Sequence, residues 1–247
     1  MNCFRAALAV VNPNRLDDLS QLGHLAAVGL VFMTVVAVNR ELRARGFWTA
    51  ERPEPDLLGF LDLVALGTVA DVVPLKGLNR AFVAKGLVAL RRRDSPGLTA
   101  LMDIARVGGP PEPWHLGFLL GPRINAGGRI GRATLGVDLL LQEDPSECAR
   151  LAAELDRLNR ERQAIEVATV AQAEAEAMAA LGAEDKGAVI VTAAEGWHPG
   201  WWVWLPRASR NGSAGLPSPL RWSPAASAPA PAVRSPAWTL AAPSGKP

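Results

Sequence analysis

The 247-residue sequence has no tyrosine, two cysteines and three histidines. Cys3 and Cys148 stand far apart with no histidine or second cysteine at metal-ligand spacing. That excludes a disulfide framework and a zinc site, and it suits a reducing, cytoplasmic compartment. A long apolar run is also missing. The best stretch, Leu25–Val38, has fourteen residues, short of the ~20 a membrane-spanning helix needs. Near the N-terminus only Ala6–Val11 is apolar, too short for the core of a secretion signal. With 49% hydrophobic and 20% charged residues, neither disorder throughout nor a fibrous repeat is compatible with the composition.

Acidic residues are absent from one part of the chain. Residues 201–247 hold five of the 26 basic side chains and none of the 24 acids, leaving residues 1–200 with 21 basic and 24 acidic groups, net −3. Nine of the 20 prolines and five of the eight tryptophans also fall in 201–247. The chain joins two unlike kinds of sequence.

Punctuation along residues 1–200 predicts a run of helices. The apolar segment from Leu25 continues into Asn39–Gly46, where arginines complement the helix dipole and Gly46 can cap. Arg52–Pro55 is a linker, and a long apolar segment follows Asp56. Asn79–Arg93 reads as an amphipathic helix stopped by Ser95-Pro96-Gly97, and Leu98–Val107 as a short one ending in Gly108-Gly109-Pro110-Pro111. Gly117–Arg132, rich in glycine, reads as a loop. Asp144–Leu181 begins with an N-cap, Pro145 and a capping-box Glu147, and meets no Gly or Pro until Gly182. At 1.5 Å per residue such a helix is about 50 Å long, the dimension of a connector between domains. Ala188–Thr192 then reads as a strand.

Three constellations could carry chemistry. Asp71 is a lone carboxylate in an apolar segment, either a helix cap or arginine partner, or a ligand for a hard cation such as Mg²⁺ or Mn²⁺. GPRINAGGRIGR sets Arg123, Arg129 and Arg132 among glycines, either a phosphate-gripping loop or a turn whose arginines are solvated or paired. EGWHPG, Glu195–Gly200, follows the strand and offers His198 either to a substrate or to a surface turn.

Together the segments NPNRLDDLSQLGHLAAVG, LDLVALGTVADVVPLKGLNR, GPRINAGGRIG, the long helix and EGWHPG resemble the RecJ family of single-stranded-DNA exonucleases, within the DHH phosphoesterase superfamily. The resemblance implies an α/β fold. Residues 1–142 would be part of a DHH domain, 143–182 the connector helix, and 183–200 the start of a DHHA1 domain. It further implies a 5′-to-3′ exonuclease that uses Mn²⁺ or Mg²⁺ on single-stranded DNA. Asp71 matches the family's metal-ligand aspartate, Arg123, Asn125 and Arg129 its RxNAxGR segment, and His198 its GWHPG loop. The family's Asp-x-Asp and Asp-His-His motifs do not occur. None of His24, His115 and His198 lies in such a triplet. One aspartate cannot hold two metals, so the chain is expected to be an inactive fragment, the alternative function being a non-catalytic nucleic-acid-binding remnant. Residues 201–247 depart from the family. Trp201-Trp202-Val203-Trp204 requires TGG TGG GTN TGG, which in a frame displaced by one base reads Val-Val-Gly and an apolar residue, as the family has after GWHPG. The expectation is a frameshifted, disordered tail.

Overall fold

The computed structural model describes residues 9–181 and two short strands, 189–191 and 204–206. Seven α-helices follow in order: α1 (Ala27–Ala44), α2 (Leu61–Ala70), α3 (Gly77–Arg92), α4 (Pro96–Ile104), α5 (Gly121–Ile130), α6 (Leu135–Leu141) and α7 (Pro145–Leu181). A 3-10 turn (Leu57–Phe60) leads into α2 and a π-helical turn (His115–Leu120) into α5. The strands β1 (Val189–Val191) and β2 (Trp204–Pro206) are antiparallel, with Ile190 opposite Leu205. The resemblance implied an α/β fold; the described residues are helical, with this antiparallel pair as their sheet. No helix among the described residues is long and apolar enough to cross a membrane.

The punctuation acts as expected at several boundaries. Gly46, at φ 66°, follows the end of α1, and Asp56 caps the turn before α2 through Leu58 N–H at 3.0 Å. Ser95-Pro96-Gly97, expected as a stop, also starts the next helix: Ser95 caps α4 with Pro96 in its first turn. The capping box of α7 does not form. Asp144 caps Ser146 N–H at 3.0 Å, but the side chain of Gln142 accepts from Asp144's own N–H, and Glu147 instead pairs with Arg150 at 2.6 Å.

The larger core gathers Leu66, Leu90, Leu101, Leu116, Leu120 and Leu155 from α2, α3, α4, the π-helical turn and α7. A smaller one, of Leu25, Leu61, Val64 and Phe82, joins the entry to α1 to α2 and α3, with Phe32 of α1 edge-on to Phe82 at 5.5 Å. The near half of α7 sits on α4, α5 and α6 by Leu151, Leu155 and Leu158, each at most 3% exposed, whereas Ile165 is 39% exposed.

A second carboxylate in the apolar segment, Asp62, is buried in the first turn of α2. Burial pushes its pKa up, with Asp94 adding to the shift and Arg92 opposing it. A folded-state pKa above the unfolded one means that folding favours the protonated form, so stability falls as pH rises from the ordinary carboxylate range through the raised value. Asp62→Asn should flatten that decline. Urea midpoints taken from about pH 3, below the ordinary carboxylate range, up to about pH 8 should separate progressively as the pH rises out of that range, with the variant the more stable at the alkaline end; curves parallel over the whole range would refute this.

Candidate functional site

Asp71 is the residue on which α2 stops. Its N–H still reaches Gly67 O at 3.0 Å, but Val72 swings to φ 57°. Left-handed geometry at a helix end is ordinary for glycine; for a β-branched residue it costs on the order of 1–3 kcal/mol. The neighbouring chain is held by Asn79, a fully buried residue in the first turn of α3. Its side-chain amide donates to Pro74 O at 3.0 Å and to His24 O at 2.8 Å. One amide therefore ties the segment after Asp71 to the segment before α1. The sequence pattern suggested a buried charge at Asp71; the carboxylate is exposed, at the C-cap of α2.

GPRINAGGRI is a helix, α5, where a loop was expected. The physical reason lies in what packs on it. A Cβ at Gly121 would stand 3.0 Å from Ala70 Cβ, one at Gly127 3.2 Å from Leu155 Cδ2, and one at Gly131, just past the helix, 2.6 Å from Leu158 Cδ1. These glycines act as seats for α2 and α7, so close packing offsets their unfavourable helix propensity. The seat at Gly121 also sets the start of α5 against Ala70, the residue before Asp71.

The helix divides the candidate residues between two faces. Arg123 turns inward: Nε donates to Asp156 Oδ1 at 2.9 Å, Nη1 donates to Leu119 O at 2.7 Å, and the side chain is 15% exposed. Asp156, 8% exposed, also receives Arg160. Arg123 thus takes the paired reading, with its donors directed to α7 and to its own helix's entry turn. Asn125 and Arg129, four residues apart, are both exposed and share a face. Gly128 lies beside them with open space around it. Arg129 makes no ion pair among the described residues, and Arg132 is paired with Asp138 at 2.7 Å. His198 lies outside the described residues.

Two other histidines are placed. His115 Nδ1 accepts from Glu112 N–H at 2.9 Å, and its ring lies 3.9 Å from that of Trp114. His24 Nε2 is enclosed beside Gly77 with no hydrogen-bond partner among the described residues. Among the described residues no three His, Cys, Asp or Glu side chains cluster closely enough to hold a metal ion. Asn79 and Asp156 are the positioning residues that pattern reading missed. Their distant partners, His24 and Arg123, lie 55 and 33 residues away respectively, and nothing local marks those two pairings.

No family model matches the chain. The single-stranded-DNA-specific exonuclease RecJ of Dickeya dadantii is 45% identical over 165 residues, covering 65% of this chain and 28% of that protein. RecJ of Bacillus subtilis is 38% identical over 193 residues, 78% of this chain and 22% of its own length. RecJ of Thermus thermophilus is 35% identical over 182 residues, 72% and 25%. The crystal structure of the Thermus thermophilus protein with Mn²⁺ is 41% identical to this chain, covering 49% of this chain and 18% of that one at a TM-score of 0.45. A crystal structure of exonuclease RecJ bound to manganese is 39% identical, covering 51% and 31% at 0.47. The chain spans about a quarter of the length of the curated relatives it matches. At identities of 35–45% over 65–72% of its length, the chain belongs to the RecJ family.

Proposed function

We propose that this chain is a segment of a cytoplasmic exonuclease that degrades single-stranded DNA from the 5′ end with Mn²⁺ or Mg²⁺. The observation that carries the proposal is the 45% identity over 165 residues to a single-stranded-DNA-specific exonuclease. In this reading the helices belong to an α/β DHH domain, α7 is the connector, and β1 opens the DHHA1 domain. Asp71 is a metal ligand, and Asn125 and Arg129 meet a phosphate of the strand. Arg123 supports that face from within, by fixing α5 to α7.

The described residues do not by themselves fit a two-metal centre. Such a centre needs several oxygen donors around ions roughly 4 Å apart, and among the described residues no three His, Cys, Asp or Glu side chains group closely enough to hold even one ion. No hydrolytic step follows from these residues alone. What they offer is strand binding, the non-catalytic alternative. The net charge of −3 over residues 1–200 makes this binding local, resting on a few contacts rather than on a basic groove.

The test uses the purified chain with a 5′-labelled single-stranded oligonucleotide and Mn²⁺. The expected result is salt-sensitive binding without release of nucleotides. Arg129→Ala should weaken binding to all sequences alike and lower the log–log salt slope by about 1. Release of mononucleotides would overturn the incomplete-centre reading, and absence of binding at low salt would remove the phosphate face.

A further inference from the structure

Helix α1 is apolar on both sides. Toward the smaller core it presents Gly29 against Phe82, Phe32 edge-on to the same ring, and Val28 against Gly67. On the opposite side Ala27, Val31, Thr34 and Val38 recur every three or four residues and so share a face. All four are exposed, Val31 at 61% and Val38 at 53%. No residue from Leu25 to Val38 is charged, and charge begins only at Arg40. A helix apolar all round is one that is covered all round. The charge-free stretch is about 20 Å long at 1.5 Å per residue, short of the roughly 30 Å of a bilayer's hydrocarbon core, so α1 does not span a membrane.

The chemistry of this outer face suits packing rather than solvation. On a helix surface open to water, alanine and straight-chain polar residues are the favoured choices. Val31, Thr34 and Val38 are β-branched, and χ1 of such side chains is restricted against the preceding turn, a cost that packing offsets. Thr34 already donates its hydroxyl to Leu30 O at 2.9 Å, so covering the face strands no donor. The segment leading into α1 indicates what covers it. Ala9, Val10 and Val11 are exposed, and their backbone makes no hydrogen bond among the described residues. The chain then turns at Asn12, whose Oδ1 accepts from Asn14 N–H at 2.9 Å and whose carbonyl accepts from Arg15 N–H at 3.2 Å. Asn14 lies against Gly23, where a Cβ would stand 2.6 Å from its Oδ1, and this contact holds the turn beside the entry to α1.

We infer that the outer face of α1 and the backbone of Ala9–Val11 form one docking surface for a β-sheet supplied by polypeptide outside this chain. Ala9–Val11 adds to the open edge of that sheet, and α1 covers its apolar face. An apolar segment with free backbone groups, a turn, and a helix with a bare apolar side follow one another as in a strand–helix unit, where the helix packs on the sheet to which its own strand belongs. Valine is a residue type that strands favour, and free N–H and C=O groups pair with a strand edge. The chain covers 28% of the Dickeya dadantii protein, and the unmatched part of such a protein is the source of the sheet. That source rests on the proposed α/β reading; the docking surface itself needs neither Asp71 nor the Asn125–Arg129 face.

Maleimide labelling of a cysteine placed at Val38 tests this. The isolated chain carrying Cys3→Ser and Val38→Cys is compared with a chimaera in which residues 9–181 of this chain, with the same Val38→Cys, replace the matching part of the Dickeya dadantii protein. Labelling should be slower in the chimaera by about tenfold or more, and the amides of Val10 and Val11 should exchange more slowly there. Val88→Cys is the comparison: Val88 is 55% exposed on α3, with Lys85 and Arg91 three residues to either side, and should label alike in both proteins. The Dickeya dadantii protein itself, with a cysteine at the position aligned with Val38, is read in parallel and decides the matter if the chimaera does not fold. Fast labelling in a folded chimaera, or in the Dickeya dadantii protein in its place, overturns the inference. So does a discrete dimer of the isolated chain in sedimentation that is lost on Val31→Asp, because the face then belongs to a second copy. Nuclease activity is scored separately. A chimaera protected at Val38 but inactive on single-stranded DNA keeps the docking surface and sinks the proposed function; an active chimaera that labels fast does the reverse.

Discussion

Gly86→Ala should destabilise the chain by about 3 kcal/mol, at the upper end of what overpacking ordinarily costs. Gly86 lies where α3 crosses α2. A Cβ there would stand 2.1 Å from Leu61 O, 3.0 Å from Leu61 C and 2.4 Å from Ala65 Cβ. Two of these are backbone atoms of the segment that the smaller core already fixes, and Ala65 is fully buried, so no flexible side-chain end is available to move. Helix propensity favours the opposite outcome, since Ala is better than Gly in a helix interior by about 1 kcal/mol. The clash outweighs it. Gly128→Ala is the internal comparison. In α5 nothing lies within 4 Å of the added methyl, so propensity alone should act and the chain should gain about 0.5–1 kcal/mol. Urea unfolding of both variants should therefore shift the midpoint in opposite directions. Shifts of the same sign would mean that α2 and α3 do not cross this closely in solution.

Other glycines show what could be read from the sequence. Helices α1, α3, α4 and α7 were legible because their signals are local: Gly46 after α1, Ser95-Pro96 before α4, and a run from Pro145 free of Gly and Pro. Helix α5 was not, because glycine is locally a breaker, and the leucines that require Gly127 and Gly131 to be small belong to α7, about 30 residues on. The capping box of α7 failed for a related reason. Its spacing is correct, but Gln142 occupies the N–H that Glu147 would have reached. At Asp71 the residue type was informative and the environment was not. Where α2 stops depends on Val72 adopting a left-handed conformation, an outcome no propensity scale favours. Arg123 and Arg129 are indistinguishable by composition. Helical phase, once α5 is known to be a helix, turns the first toward Asp156 and leaves the second in solvent.

That division gives Asp156→Ala a large expected effect, about 3 kcal/mol lost from the unfolding free energy. Asp156 and Arg123 are 8% and 15% exposed, so removing the carboxylate leaves a guanidinium enclosed without its counter-charge, the situation in which breaking a buried pair costs roughly 3–5 kcal/mol. The lower end applies because Arg123 keeps its bond to Leu119 O. Arg160, the other partner of Asp156, is 71% exposed, and Arg160→Ala should cost less than about 1 kcal/mol because solvent screens it. Replacing Arg123 with Met and Asp156 with Leu together should recover much of the loss, since the expense lies in the stranded charge rather than in the missing attraction. Urea curves of the three proteins, compared at constant slope, measure these differences. If Asp156→Ala unfolds within about 1 kcal/mol of the native chain, the Arg123–Asp156 contact is not a buried pair, and α5 is held to α7 by Leu155 and Leu158 against its glycines alone. If the loss is as large as expected, the exposed Asn125–Arg129 face depends on a charge located on α7. A strand-binding defect in Asp156→Ala, with Arg129 untouched, would then show that α7 sets the orientation of that face.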